Sequence, residues 1–234
     1  MNMKFFRAFL LFLLILIAAQ ASQGQDSLAD RFCIVADRWE EIFQEGEIRV
    51  YSQQVPVSDV LAFRAVGNLS APVDQVMEVL RRLEITGEWM PDIKTKYAIE
   101  ERSDFEAITY SVNDLPWPFA DRELVHYNRL SLDRVRKSFL VEVYSIDDGK
   151  TQVSKGRVRA HMYCGETLVR PTGKGWTRVE LILLVDPKGF IPAWLVNLSQ
   201  NKLPYNFLKA LEKKASKTRF PLRPARFHPS IRFL

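Results

Sequence analysis

From residue 95 to residue 185 the chain offers one strand-like segment after another, with no stretch between them long enough for a crossover helix. Segments 95–101, 105–112, 123–132, 138–146, 156–169 and 176–185 are rich in β-branched and aromatic residues. Turn clusters such as Arg102-Ser103-Asp104, Asp147-Asp148-Gly149-Lys150 and Pro171-Thr172-Gly173-Lys174-Gly175 separate them. Parallel neighbours need a connection of a dozen or more residues, so these strands are predicted to form an antiparallel meander. Its inner face must be covered. The one long helical pattern available is 191–217, with Trp194, Leu195, Leu198, Tyr205, Leu208 and Leu211 on one side. Pro204 removes a backbone donor and clashes with the preceding turn, which predicts a kink or a split there.

Upstream, Leu28, Phe32, Val35, Trp39, Ile42 and Phe43 recur at helical spacing, predicting an amphipathic helix over 27–43 that ends before Gly46. Segments 48–55 and 60–69 read as a strand pair. Pro72 suits a first helical turn, and Val73, Val76, Met77, Leu80 and Leu83 continue one apolar stripe. The expected class is α+β: a curved antiparallel sheet around a long C-terminal helix, with an N-terminal helix and a short helical insertion.

Residues 8–19 are an unbroken apolar run following Lys4 and Arg7, shorter than the ~20 residues a membrane-spanning helix needs. Ala19-Gln20-Ala21 adds a small-x-small cleavage pattern, so 1–21 is expected to be a secretory signal and the mature chain periplasmic or secreted. An uncleaved anchor is the rival. Residues 22–217 then form one domain and 218–234 a tail. The net charge of +5 drops by two without Lys4 and Arg7, a balance too weak to suggest nucleic acid, and a monomer is expected. In the tail, Arg219, Arg223, Arg226 and Arg232 alternate with prolines and with Phe220, Phe227 and Phe233. Such an extended, mobile segment is either an anchor for anionic lipid head groups or simply solvated. Cys33 and Cys164 form either one disulfide or two buried thiols; a domain of this size needs no staple, which favours thiols.

Three aromatic motifs sit at the junctions between these segments: Trp89-Met90-Pro91, the run Pro116-Trp117-Pro118-Phe119-Ala120-Asp121-Arg122-Glu123, and the run from Asp186 to Asn197 containing Phe190-Ile191-Pro192-Ala193-Trp194. Their order and spacing resemble the steroidogenic-acute-regulatory-related lipid-transfer family, the START domains. The match looks closest to the branch holding phosphatidylcholine-transfer-like domains and their secreted bacterial relatives. Glu123 stands where an aspartate is common. The resemblance covers nearly the whole mature chain and implies the helix-grip fold, with a lipid held in an internal cavity and passed between membranes.

It further implies a gate at Trp117, Phe119, Phe190, Ile191 and Trp194, aromatics that either face a membrane or close the core. Head-group positions match poorly. The arginine and aspartate of phosphatidylcholine binders correspond to Thr86 and Met90, and the buried arginine of sterol binders falls near Asn128. Tyr163 aligns with an aromatic-cage position, and Arg122 is expected to be structural, paired with Asp121 or a nearby carboxylate.

From the residues themselves, a sheet bent around a helix encloses a volume that must be packed or occupied. A lipid with ~30 methylenes gains roughly 20 kcal/mol on leaving water but almost nothing on leaving a membrane, so transfer needs a cavity as apolar as a bilayer. Tyr110, His126, Asn128, Arg159, His161 and Tyr163 are the candidate polar lining. Strand alternation puts His126 with Asn128, and Arg159 with His161 and Tyr163, without saying which face is inward. His161 and Cys164 point to opposite faces, and there is no nucleophile elbow or phosphate loop, so no metal, cofactor or catalytic residue is expected. Related helix-grip proteins include polyketide cyclases. An enzyme in which His126, His161 or Tyr163 polarises a ligand carbonyl is therefore the alternative, alongside a lipid-sensing module for a protein partner.

Overall fold

The computed structural model describes residues 39–133, 135 and 137–222. One sheet of ten strands dominates it: β1 (Glu40–Glu45), β2 (Ile48–Val55), β3 (Ser58–Leu69), β4 (Ile93–Glu101), β5 (Glu106–Asn113), β6 (Arg122–Asp133), β7 (Ser138–Ser145), β8 (Val158–Arg159), β9 (His161–Gly173) and β10 (Trp176–Asp186). The spatial order is β1-β2-β3-β10-β9-β7-β6-β5-β4, antiparallel throughout, with β8 alone running parallel beside β6. The meander thus extends from β4 to β10, and β10 then pairs with β3, bringing the N-terminal strands into the same sheet.

Among the described residues four α-helices accompany the sheet: α1 (Val73–Arg81), the single turn α2 (Thr86–Trp89), α3 (Ala193–Gln200) and α4 (Leu203–Lys217), with a 3-10 turn at Leu83–Ile85. The expected split falls just before Pro204, which takes a position in the first turn of α4, where its missing N–H costs nothing. The break also separates two faces that the sequence pattern merges. Leu208, Leu211 and Ala215 of α4 are buried, whereas Trp194 and Leu198 of α3 turn to solvent.

Packing under α4 is dense. Leu208 and Leu211 meet Ile48, Val50, Ala65 and Leu69 from β2 and β3, with Val76, Met77 and Val79 of α1 and Trp89 completing the cluster. Trp89 lies 5.4 Å from the Phe207 ring. The close approach of α4 to the sheet is set at Gly67, where a Cβ would stand 2.8 Å from Ile48 Cγ1 and 3.5 Å from Leu208 Cδ1. Asn197 fastens α3 to β3: its Oδ1 accepts from Leu61 N at 2.8 Å and its Nδ2 donates to Asp59 O at 3.3 Å.

Several expectations are corrected. Residues 40–43, placed in an N-terminal helix, belong to β1; the rest of that span lies outside the described residues. A hairpin wins there because Gly46, at φ +57°, allows a tight turn that pairs Glu45 with Ile48. Segment 156–169 is interrupted, and β8 pairs with Arg122 and Glu123 of β6. Cys164 is disulfide-bonded rather than free; the sequence holds one other cysteine, Cys33, outside the described residues. The tail does not leave the domain at 218. Phe220 N donates to Gln75 Oε1 at 2.7 Å, and Arg82 sits 4.9 Å over the Phe220 ring while donating to Pro221 O. The expected signal, 1–21, and the tail beyond 222 lie outside the described residues.

Gly67→Ala should lower stability by about 1–3 kcal/mol in urea unfolding, because Ile48 or α4 must move. Gly173→Ala, with open space around its Cβ position, should change it little.

Candidate functional site

Beyond the part of the sheet packed by α4, the interior is hollow. The inner faces of β5, β6, β7, β9 and β10 surround a cavity of about 600 Å³, roofed by α3 and the start of α4. Its walls are mostly apolar: Leu124, Leu130, Val141, Val143, Met162, Leu181, Leu183 and Val185 from the strands, with Leu195, Leu203 and Phe207 from the helices. β9 leaves the room. A bulge opposite Leu184 and Val185 shifts its register, so that Ala160 and Met162 face inward before it and the small Gly165 and Thr167 after it.

The bulge helps divide the candidate lining. His126 and Asn128 face the cavity, whereas Tyr110, Arg159, His161 and Tyr163 are not among its walls. Tyr110 and Arg159 meet instead around Glu123, a fully buried carboxylate on the other side of the sheet. Tyr110 donates to Glu123 Oε2 at 2.7 Å, Arg159 Nη2 to Oε1 at 2.8 Å, and Ser154 N to the same carboxylate. Burial pushes the Glu123 carboxyl up, and the bonds from Arg159, Tyr110 and Ser154 more than offset this, holding it below its ordinary value. His161 and Tyr163 stack edge to face at 4.5 Å, with Lys188 5.5 Å over the Tyr163 ring.

Several of the polar groups within the cavity are incompletely paired. His126 is 4% exposed, and neither Nδ1 nor Nε2 has a partner; Asn113 Oδ1 and Gln200 Oε1 are likewise unpaired. Buried polar atoms almost always find a partner, so such orphans mark a site where something else supplies the bond. Asn128 is better satisfied, donating to Thr109 Oγ1 at 2.9 Å. Lys96 also reaches the cavity from β4, a residue with no place among the sequence-derived candidates. Burial pushes its ammonium down to about 8, and burial together with the nearby Lys96 charge holds the His126 imidazole at about 3. Strand alternation does not reveal Lys96, because β4 is irregular between Ile93 and Thr95 and turns the apolar Tyr97 and Ile99 outward.

The mouth is framed by the two aromatic loops. Arg122 holds them together: its Nε donates to Pro187 O, its Nη2 to Lys188 O at 3.1 Å, and its Nη1 to Ala120 O. It therefore pairs with backbone carbonyls and not with Asp121, which binds Lys94 at 2.9 Å. Lys94 also reaches Asp114 at 2.8 Å, closing the base of the first loop. Phe119 and Ile191 point into the cavity. Trp117 (92% exposed), Phe190 (106%) and Trp194 (68%) project away from the protein. Of the two readings for these aromatics, closing the core does not describe Trp117, Phe190 or Trp194.

Residues 22–217 match the START domain family. The chain belongs to that family. Among its relatives are an uncharacterized protein of Pseudomonas aeruginosa, 28% identical over 184 residues that cover 78% of this chain and 89% of that one, and the phosphatidylcholine transfer protein of Mus musculus, 27% identical over 180 residues covering 75% and 82%. A STAR-related lipid transfer protein from Xanthomonas axonopodis superposes with a TM-score of 0.69 at 28% identity, covering 77% of this START chain and 100% of its own. Human STARD10, at 21% identity and a TM-score of 0.73 over 83% and 80% of the two chains, shares the helix-grip fold. Among the described residues of this START domain no cluster of His, Cys, Asp and Glu could hold a metal, and no helix is long and apolar enough to cross a membrane.

His126 makes the fold acid-sensitive in a defined window. Its folded value of about 3 lies below the unfolded 6.5, so the stability it contributes is complete above pH 6.5 and is lost as pH falls toward 3. His126→Gln should flatten the pH dependence of the unfolding free energy obtained from urea titrations across that window, by up to about 1.4 kcal/mol per pH unit.

Proposed function

We propose that this START-domain protein is an exported carrier that holds a lipid or other amphiphile in the cavity and moves it between membranes. The observation that carries this reading is the combination of a hollow, apolar interior with an aromatic rim at its mouth. Each half is costly without a ligand and a membrane. An empty apolar cavity forfeits the dispersion contacts its lining would otherwise make. Exposed tryptophan and phenylalanine leave apolar area in water at ~25 cal/mol per Å².

A membrane surface resolves the second cost, since Trp117, Phe190 and Trp194 with Leu198 form an apolar group suited to the interfacial region. Insertion there sets the cavity mouth against the lipid. Phe119, Ile191 and Leu195 line the path inward, so an acyl chain crosses from bilayer to protein without meeting water. The names of the mouse and Xanthomonas relatives, both lipid transfer proteins, support the same reading. Export through residues 1–21 accords with it, the aromatic rim then meeting the membrane from outside the cytoplasm.

The test is transfer of a self-quenched fluorescent lipid between vesicles, using the chain recovered from the exported fraction, with its N-terminus sequenced. A start near Ser22 and measurable transfer are expected. The pair Trp117→Ser and Phe190→Ser should slow transfer about tenfold or more while leaving the unfolding midpoint nearly unchanged, since both side chains are exposed. Equal rates for the wild type and the double variant remove the membrane-facing role. An unprocessed N-terminus in that fraction replaces cleavage with an uncleaved anchor, and absence of the chain from the exported fraction removes export.

A further inference from the structure

We propose that the cavity is built for an amphiphile with an anionic head group, a carboxylate or a phosphate, seated between the Lys96 ammonium and the His126 imidazole. This rests on the carrier reading and assigns the ligand's charge.

The residues converge from three adjacent strands. Lys96 of β4 stands across from Ser111 of β5, and the next inward-facing residue of β5, Thr109, stands across from His126 of β6. All four line the cavity. The other cations of the lining are already engaged. Arg122 binds carbonyls, Arg129 pairs with Glu142 at 2.7 Å, and Arg81 lies 3.8 Å from Glu78. Lys96 has no carboxylate partner among the described residues, and its lowered value has burial as its cause with no acidic group raising it.

Carboxylates do line the cavity, but at its ends. Glu101 is five positions along β4 from Lys96, roughly 17 Å of strand, with Asp104 and Glu106 in and beyond the following turn. Asp92 lies at the opposite end, beside Asp114, which binds Lys94. Among the described residues, the middle of the cavity is therefore positive and unneutralised.

A half-buried cation that faces an apolar cavity without a counter-charge is costly to maintain, and an incoming anion is the natural counter-charge. The anion needs hydrogen bonds as well. The His126 ring, neutral near pH 7, has one N–H to donate and no protein acceptor for it. Thr109 Oγ1 already accepts from Asn128, which leaves its proton free to donate. A zwitterionic head group fits less well, because its own cation would meet Lys96 with nothing acidic beside it. The hollow, about 600 Å³, has room for apolar chain beneath the head.

The test compares palmitate with hexadecanol, which has the same chain length and no charge, by equilibrium dialysis at pH 7. A second arm offers vesicles of phosphatidylcholine mixed with phosphatidic acid and analyses the lipid recovered on the protein. The expected result is palmitate held about 10–100-fold more tightly than hexadecanol, or phosphatidic acid enriched over phosphatidylcholine by a similar factor. The first outcome names a carboxylate and the second a phosphate. Lys96→Met should abolish the preference while retaining hexadecanol, and Lys96→Arg should keep it. Should Lys96→Met fail to fold, the wild-type ratios still decide. Hexadecanol held as tightly as palmitate with no enrichment of phosphatidic acid, or a preference that survives in Lys96→Met, overturns the anionic assignment and leaves the carrier standing. Retention of none of the four lipids overturns the carrier itself.

Discussion

An inner sheet face larger than its helices can cover is the constraint on which the rest of this structure depends. α4 packs firmly on β2 and β3, where Gly67 permits close approach, and there the core is solid. Toward β5, β6, β7 and β9 the sheet curves away and the small inward residues of β9 do not fill the gap. A solid half gives the fold its stability. The hollow half gives it a place for a ligand, since interiors at crystal-like density leave few voids otherwise.

Two neighbouring residues of β6 divide the work of holding this shape. Arg122 and Glu123 alternate across the sheet, so one reaches the cavity mouth and the other the opposite side. Arg122 ties the Pro116–Asp121 loop to the Pro187–Gly189 turn through carbonyl oxygens, which fixes the aromatic rim without consuming a carboxylate. Glu123 gathers Arg159, Tyr110 and Ser154 and so anchors β8 and the long connection after β7 to the outside of the sheet. A charge-bearing dipeptide thus connects the mouth to the wall behind it.

Most of the architecture is legible in the sequence because its signals are local. The boundaries of β2, the split before Pro204 and the helix after Pro72 follow from alternation, proline geometry and an apolar stripe. The fold family follows from three motifs whose order matches that architecture. What escapes is whatever depends on pairing over distance or on a change of register. β1 reads as helix because its apolar spacing is ambiguous over six residues and only its partner β2 decides the matter. Arg159, His161 and Tyr163 attract attention as polar residues in a strand, yet their exclusion from the cavity depends on neighbouring strands. Lys96 is the reverse case: an ordinary surface-looking lysine, beside outward-facing Tyr97 and Ile99, that irregular pairing with β5 carries inward. The bond at Cys164 likewise reflects a meeting in space that spacing along the chain does not specify.

The central claim is that the hollow is an occupied site and not a packing defect. Native mass spectrometry of the protein, as purified and after incubation with phospholipid vesicles and extracted cell lipid, addresses this directly. The account predicts one amphiphile per chain, retained under gentle ionisation and released on denaturation. A mass equal to that of the bare polypeptide in every sample would contradict it.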